Sequence, residues 1–364
     1  MSMHPPPKKQ LWIWYLWLML FFSAWLWLVL GKGWWPTAVE HWPMALAMAI
    51  GSYAAGSTPM GGGTVGFPVL VLLFELPATL GRDFSFAIQS IGMVSAGIFI
   101  LARRQPVAWA MLKGAMLGCL LGLPLGIFLL APLVPELWIK LLFAVVWASF
   151  GLLHLWRLQE IAGHSGMTEF DERWDFQLGL CIGVLAGALV VSVTGVGIDM
   201  VLYTALVLIS RADLKIAIPT SVLIMAFASV LGVLIKVTVG PGLAPGVFEN
   251  WLAAAPVVAL GAPLGVYMVA RIGRKPTLLV VSTLCVGQFA WTLYSEQSVL
   301  GVGGSVVALL AVAICLFGFE RLRRFGARLA GERLAAAKAV TTTEMAPVEA
   351  GQEASPIRSE TPLD

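Results

Sequence analysis

Long apolar runs alternate with short polar connectors along most of the chain. The uninterrupted runs cover residues 11–30, 84–102, 107–130, 137–156, 216–235, 251–270, 277–294 and 302–319. A helix needs about 20 apolar residues to cross the hydrocarbon core of a bilayer, and most of these runs reach that length. The pattern therefore predicts an all-α integral membrane protein.

Two further apolar runs are interrupted by glycines. Residues 44–76 contain GSTPMGGGTVGFPVL, and residues 176–209 contain SVTGVGIDMVLY. Each run is shorter than the roughly 40 residues that two full crossings need, so we expect a re-entrant hairpin or a pair of short, tilted helices with arms of similar length. In lipid, such broken backbone survives only when it is buried in protein or lines a cavity.

The basic residues indicate how the chain is threaded. If Lys8 and Lys9 are cytoplasmic and both broken runs return to the side from which they start, all the large basic clusters fall on one side. These clusters are Arg103 and Arg104, Arg157 and Arg173, Arg211 and Lys215, Arg271, Arg274 and Lys275, and Arg321, Arg323 and Arg324. The positive-inside rule then predicts that both termini are cytoplasmic.

This threading predicts two inverted repeats, because one hairpin enters from outside and the other from inside. We expect an extra transmembrane helix in residues 1–42, a first repeat in 43–156, a cytoplasmic connector in 157–175, a second repeat in 176–320, and a cytoplasmic, largely disordered tail in 321–364. Each repeat would hold a hairpin and three helices. Broken helices in matching places of two inverted repeats are typical of secondary transporters, whose substrate site lies between the repeats.

Composition agrees with a membrane transporter. The 364 residues are 59% hydrophobic and 12% charged, whereas soluble domains carry about 25% charged residues. The sequence contains no H-E-x-x-H, G-x-S-x-G or phosphate-binding G-x-x-x-x-G-K-[ST] motif. We therefore expect no enzyme activity, no cofactor or metal, and no nucleic-acid partner. The expected partners are a small anionic substrate, the lipid bilayer and, as a possibility left open, a second copy of the chain.

The glycine breaks are the candidate substrate site. Their residues are Gly61, Gly62, Gly63 and Thr64 in the first half, and Thr194, Gly195 and Gly197 in the second. A helix that starts after such a break has unpaired N–H groups and about half a positive charge at its start, which together favour an anion. The structural alternative is that these glycines only permit tight helix packing.

A second matched pair of motifs follows the hairpins. AIQS at residues 87–90 resembles AIPTS at residues 217–221, and Gln89, Ser90, Thr220 and Ser221 would supply neutral donors to an anion. Ordinary hydrogen bonding between helices is the alternative explanation.

Asp199 is the clearest charged residue inside an apolar run, and such residues are functional candidates. It lies two residues after Gly197, where a carboxylate favours a helix start. It is therefore either a structural cap or a coupling residue that binds a proton or pairs with a cation.

Three segments, GGGTVGFPVL, TGVGIDMVLY and KIAIPTSVLIM, together resemble the TauE/SafE sulfite exporter family over about residues 45–319. The resemblance implies a helical bundle in two inverted repeats that exports sulfite or a small organosulfur anion, such as a sulfonate, across the bacterial inner membrane. It places the family's glycine motifs on Gly61, Gly62, Gly63 and Pro68, and on Gly195 and Gly197. Val196 replaces the middle glycine of the second motif and Leu202 stands where the first half has Pro68, so the half-sites are unequal.

Two other functions stay open at the level of sequence. One is a proton- or cation-coupled importer of a small organic anion, with Asp199 as the coupling residue. The other is an intramembrane enzyme or a receptor that does not transport.

Overall fold

The computed structural model describes residues 10–168, 171–272 and 274–344, and the described residues contain helices but no strand. The helices are α1 (Leu11–Leu26), α2 (Trp35–Glu40), α3 (Trp42–Ser57), α4 (Gly63–Pro68), α5 (Ala78–Ala102), α6 (Trp109–Leu125), α7 (Glu136–Ala162), α8 (Glu172–Ala186), α9 (Ser192–Thr194), α10 (Ile198–Leu208), α11 (Leu214–Thr238), α12 (Val247–Ile272), α13 (Arg274–Ser295) and α14 (Gln297–Glu344). Within this described part, nine helical stretches are long and apolar enough to cross a membrane. The prediction of an all-α integral membrane protein is confirmed.

The two apolar runs at residues 44–76 and 176–209 are interrupted at their glycine motifs, as predicted. The first break separates α3 from α4, and Gly61 within it has φ +58°. The second break separates α9 from α10, and both Gly195 (φ +80°) and Gly197 (φ +109°) are left-handed. A side chain with a Cβ is strained in this conformation, so glycine is needed at the points where the helices stop.

The arms of the second hairpin are unequal, contrary to the expectation of similar lengths. Its first arm runs without interruption over 23 residues, Glu172–Thr194, through a π-helical turn between α8 and α9. Its second arm, α10, has 11 residues and is about 16 Å long, roughly half the thickness of the hydrocarbon core. The hydropathy pattern missed this because α8 begins among polar residues, before the apolar run.

Two close contacts between helices join the halves of the chain. A Cβ on Gly118 of α6 would collide with the backbone of α8, where Val184 N lies 2.8 Å away. A Cβ on Gly265 of α12 would collide with the backbone of α3, where Ser57 N lies 3.1 Å away. Small residues allow this approach in a membrane. The first arm of the first hairpin, α3, thus packs against α12, and the first arm of the second hairpin, α8, packs against α6. In each case the partner is the second long helix after the other hairpin. Two structural repeats would produce this reciprocal packing. That the repeats are inverted stays a prediction.

α1 lies at the edge of the bundle. Its indole N–H groups donate hydrogen bonds inward, from Trp14 to Ser95 Oγ (3.1 Å) and from Trp25 to the carbonyl of Leu252 (2.9 Å). Its other large side chains, including Trp12 and Trp27, are mostly exposed. Because exposed apolar side chains face lipid in a membrane protein, α1 has the position expected of an extra helix.

The C-terminal region departs from the predicted boundaries. α14 starts at Gln297, bends at Gly301 (φ +59°) and continues as helix to Glu344. The prediction of a largely disordered tail from residue 321 is therefore wrong for residues 321–344, while residues 345–364 lie outside the described part. Residues 176–320 also contain one helix more than the three that were expected after the hairpin. The Ala, Glu and Arg residues of 321–344 have high helix propensity.

Candidate functional site

The two glycine breaks meet inside the bundle. A Cβ on Gly63 would collide with the side chain of Val196 in the second break and would lie 2.8 Å from Ser85 Oγ. A Cβ on Gly195 would collide with the carbonyl of Arg82 and lie 3.0 Å from Ser85 Cβ. Both breaks therefore rest against the same turn of α5, and only glycine leaves space for their contact.

We call the point where the two breaks meet, beside Gly61, Gly63 and Gly195, the crossing. Gln89 lies at this crossing. Its Nε2 donates to the carbonyl of Ser85 (3.0 Å) and, more weakly, to the carbonyl of Gly195 (3.4 Å). Its Oε1 points to Gly61, as does Asp199 Oδ2, which lies 2.9 Å from the position of a Cβ on Gly61. Gln89 was expected to donate to an anion, but its donors are already used by backbone carbonyls of both halves. The group that it leaves free is an acceptor.

Free backbone donors are found at the first break. Among the described residues, no hydrogen-bond acceptor is found for the N–H groups of Gly61, Gly62 and Gly63, which lead into α4. Unpaired N–H groups at a helix start carry partial positive charge and suit an anion. This is the arrangement that the glycine motif predicts.

At the second break, the N–H groups of Gly197 and of Asp199 itself approach the carboxylate of Asp199. The N–H of Gly195 bonds to the carbonyl of Val191 (2.8 Å), and the N–H of Val196 lies 3.4 Å from Thr194 Oγ1. The N–H of Met200, in the first turn of α10, donates to Asp199 Oδ1 (3.0 Å). Asp199 thus stabilises the start of its own helix with one oxygen, while Oδ2 has no partner.

Thr64 and Thr194 both hold the shape of their breaks. The hydroxyl of Thr64 bonds to the carbonyl of Met60 and accepts a hydrogen bond from Trp147 Nε1 (2.8 Å). The hydroxyl of Thr194 lies 2.9 Å from the carbonyl of Val196. Their hydroxyls are therefore engaged in the protein, and a direct role in binding stays a prediction.

The remaining predicted donors are bonded away from the crossing. Ser90 and Ser221 donate to carbonyls of their own helices, Ala87 and Ile218, both at 2.8 Å. Thr220 accepts a hydrogen bond from the N–H of Ala108 (3.0 Å), which fastens α11 to the start of α6. Their role in a ligand site stays a prediction.

Besides a cavity of about 260 Å³ lined by Thr64 and Val65 of α4, a larger cavity of about 740 Å³ reaches Gly56, shortly before the first break. Its rim carries Gln105, Asp213, Lys215 and Lys275, and its wall includes Gly56 at the end of α3. Beside the first break, next to Gly62 and Gln89, the space is about 10 Å³, which is at most the size of one water molecule. The crossing is closed in this conformation, and the cavity is open.

A buried ionic cluster lies at the other end of α11. Lys236 Nζ is 2.6 Å from Asp83 Oδ2, and Arg82 Nε is 2.9 Å from Asp83 Oδ1. The N–H of Ala244 also donates to Asp83 (3.0 Å). The partners are 153 residues apart in sequence, so no local pattern reveals them.

His154 of α7 is a further titratable residue inside the bundle. It is buried, with Nε2 3.0 Å from the hydroxyl of Tyr203 and Nδ1 2.9 Å from the carbonyl of Phe150. A signal did exist: His154 follows Trp147 by two helical turns, which places both on the face of α7 that meets the broken segments.

The part of the chain that carries these features matches a known family. The sequence profile described as Sulfite exporter TauE/SafE matches residues 44–289. The chain belongs to the TauE/SafE sulfite exporter family. Its members are membrane transporters, not enzymes, for sulfite- and sulfonate-type anions. In this TauE/SafE protein the matched residues include both glycine breaks, Asp199 and the Asp83–Lys236 pair. Comparisons with curated proteins and with solved structures find no match.

The ionic cluster gives a stability prediction. In Lys236→Ala, Asp83 loses its nearest cation inside the bundle, and removal of one member of a buried pair costs about 3–5 kcal/mol. We expect this variant to unfold at a clearly lower denaturant concentration in mixed micelles. The exposed Lys215→Ala is the matched control and should unfold like the unmodified protein. Adding Asp83→Asn to Lys236→Ala should restore part of the loss, and equal stability of all three variants would contradict the assignment.

Proposed function

We propose that this TauE/SafE protein exports a small sulfur oxyanion, sulfite or a small sulfonate, from the cytoplasm across the bacterial inner membrane. The observation that carries the proposal is the meeting of the two glycine breaks within the residues that match the family. The free N–H groups of Gly61, Gly62 and Gly63 supply donors without a fixed positive charge. Such donors suit an anion that must be released again.

The shape of the bundle supports entry from the cytoplasm. The cavity opens among helix ends that carry Arg103, Arg104, Lys215 and Lys275, and the positive-inside rule assigns these helix ends and both termini to the cytoplasm. A rim of positive charge raises the local concentration of anions. On this assignment, the Asp83–Lys236 pair lies towards the periplasm and the conformation is open to the cytoplasm.

Transport needs the crossing to open, since the space beside Gly62 and Gln89 is too small for sulfite. In the proposed cycle the anion reaches the end of the cavity near Gly56 and the two halves then rock. The N–H groups of the first break become accessible, and the path opens on the opposite side. A membrane potential of 100 mV is worth about 2.3 kcal/mol per charge, so a negative interior drives a monoanion outwards without ATP.

An importer coupled to protons or cations is the second candidate. The observation that favours it is the buried Oδ2 of Asp199, which has no partner. Flux that follows a proton or sodium gradient in the unmodified protein, and loses that dependence in Asp199→Asn, would support it over export driven by the membrane potential.

The contact between the breaks gives a direct test. In Gly63→Leu the new side chain would occupy the space of Val196 and Ser85, so we expect loss of sulfite efflux from proteoliposomes while the protein still inserts and remains monodisperse. Gly318→Leu is the matched control, because nothing lies within 4 Å of its Cβ position. Normal efflux in a well-folded Gly63→Leu would contradict a site at the crossing.

The basic rim gives a second test. We expect the double variant Lys215→Glu and Lys275→Glu to slow sulfite entry at low salt by about tenfold or more, because steering by charge changes association rates on that scale. The difference should shrink as the salt concentration rises. Lys113→Glu, which also reverses an exposed lysine but lies away from the cavity rim, should leave the rate unchanged. A salt-independent rate equal to that of the control would count against the cavity as the entrance.

A further inference from the structure

Two buried acceptors approach the same point at the crossing, beside Gly61. Asp199 is 0% exposed and Gln89 is 1% exposed. Asp199 Oδ2 and Gln89 Oε1 have no hydrogen-bond partner, and both reach the position that a Cβ on Gly61 would occupy. Buried acceptors are rarely left unpaired, so a pair of them at one point calls for a positively charged or hydrogen-donating occupant.

The orientation of Gln89 is fixed by its surroundings. Its Nε2 faces the carbonyl oxygens of Ser85 and Gly195. If the amide were turned over, its oxygen would face these two carbonyl oxygens, and both would lose their donor. An acceptor therefore points at Asp199, and Gln89 cannot neutralise it with an N–H group.

Asp83 shows how this chain holds a buried aspartate that is ionised. It lies between Arg82 and Lys236, at 2.9 Å and 2.6 Å. Asp199 has no such partner. The groups that approach its carboxylate are neutral backbone N–H groups, those of Met200, Gly197 and Asp199 itself, and a buried carboxylate without a cation is costly.

The elements around Asp199 bring no free cation to it. On α10, Tyr203 follows one turn later and is hydrogen-bonded to His154 of α7. The sequences of α3 and α4 contain no charged residue. On α5, Arg82 is committed to Asp83.

The charges of the remaining helices around α10 lie at helix ends or are paired. On α11, Lys215 lies in the first turn, at the cavity rim, and Lys236 in the last turn. Asp175 of α8 lies in that helix's first turn. On α14, Arg323 is paired with Glu320.

We propose that a single proton is bound at the crossing, carried on Oδ2 of Asp199 and donated to Oε1 of Gln89. One hydrogen satisfies both acceptors and removes the buried charge. A metal cation would need a shell of several oxygens, whereas two unpaired side-chain oxygens of the described residues, Asp199 Oδ2 and Gln89 Oε1, reach Gly61.

The proton has a consequence for transport, and this step rests on the proposed function. A neutral Asp199 does not repel an anion bound to the N–H groups of Gly61, Gly62 and Gly63, whereas an ionised one does. The proton and the anion therefore bind together.

Infrared difference spectroscopy of the purified full chain tests the proton without any substrate. At neutral pH we expect the carbonyl band of a protonated carboxylic acid in the unmodified protein and its loss in Asp199→Asn. In Gln89→Leu the band should remain but move to higher frequency, because the acid loses its acceptor. The loop variant Asp213→Asn should leave the band unchanged. Asparagine matches the shape of the neutral acid and can donate to Gln89, so Asp199→Asn should fold.

Two results would overturn the proposal. The first is a spectrum in which Asp199→Asn removes no protonated-acid band. The second is a band that sodium chloride removes and choline chloride does not, which would assign the site to sodium. Methanesulfonate, which does not titrate near neutral pH, separates this question from transport: its binding should weaken as the pH rises in the unmodified protein but not in Asp199→Asn. Absence of methanesulfonate binding with an intact acid band would count against the anion site alone.

Discussion

A broken helix inside a membrane has to find partners for its free backbone groups within the protein, because lipid offers none. In this chain two such breaks find each other. Gly63 contacts Val196, Gly195 contacts the carbonyl of Arg82, and both breaks lie on one turn of α5. The close contacts of α6 with α8 and of α3 with α12 bring the two halves near enough for this meeting. The arrangement of the bundle thus follows from the need to bury the ends of short helices.

The two breaks are alike in sequence but different in chemistry. The first leaves N–H groups free, while the second uses most of its own and adds Asp199, whose outer oxygen faces Gln89. Donors for an anion and acceptors for a proton therefore lie side by side at one crossing. The two ends of the bundle also differ. One end has an open cavity with Lys215 and Lys275 at its rim, and the other has the buried Asp83–Lys236 ion pair at the far end of α11. A transporter stopped in one of its conformations would have this asymmetry.

The sequence revealed the features that depend on local physics. Positive φ at Gly61, Gly195 and Gly197 favours glycine, so the positions of the glycines in the sequence were enough to locate both breaks. Features that depend on distant partners stayed hidden. Asp83 and Lys236 each look like ordinary helix-end charges until folding places them together. Gln89 was expected to donate to a ligand. In the structure its side-chain N–H groups face the carbonyls of Ser85 and Gly195, one from each half of the chain, so its amide oxygen is the group left free.

The central claim is that the crossing of the two breaks binds the transported anion. Diffraction at the selenium absorption edge, from crystals grown with selenite as a heavy analogue of sulfite, tests it most directly. The account predicts an anomalous peak within hydrogen-bond distance of the N–H groups of Gly61, Gly62 and Gly63. A peak confined to Lys215 and Lys275 at the cavity rim, with none at the crossing, would contradict it.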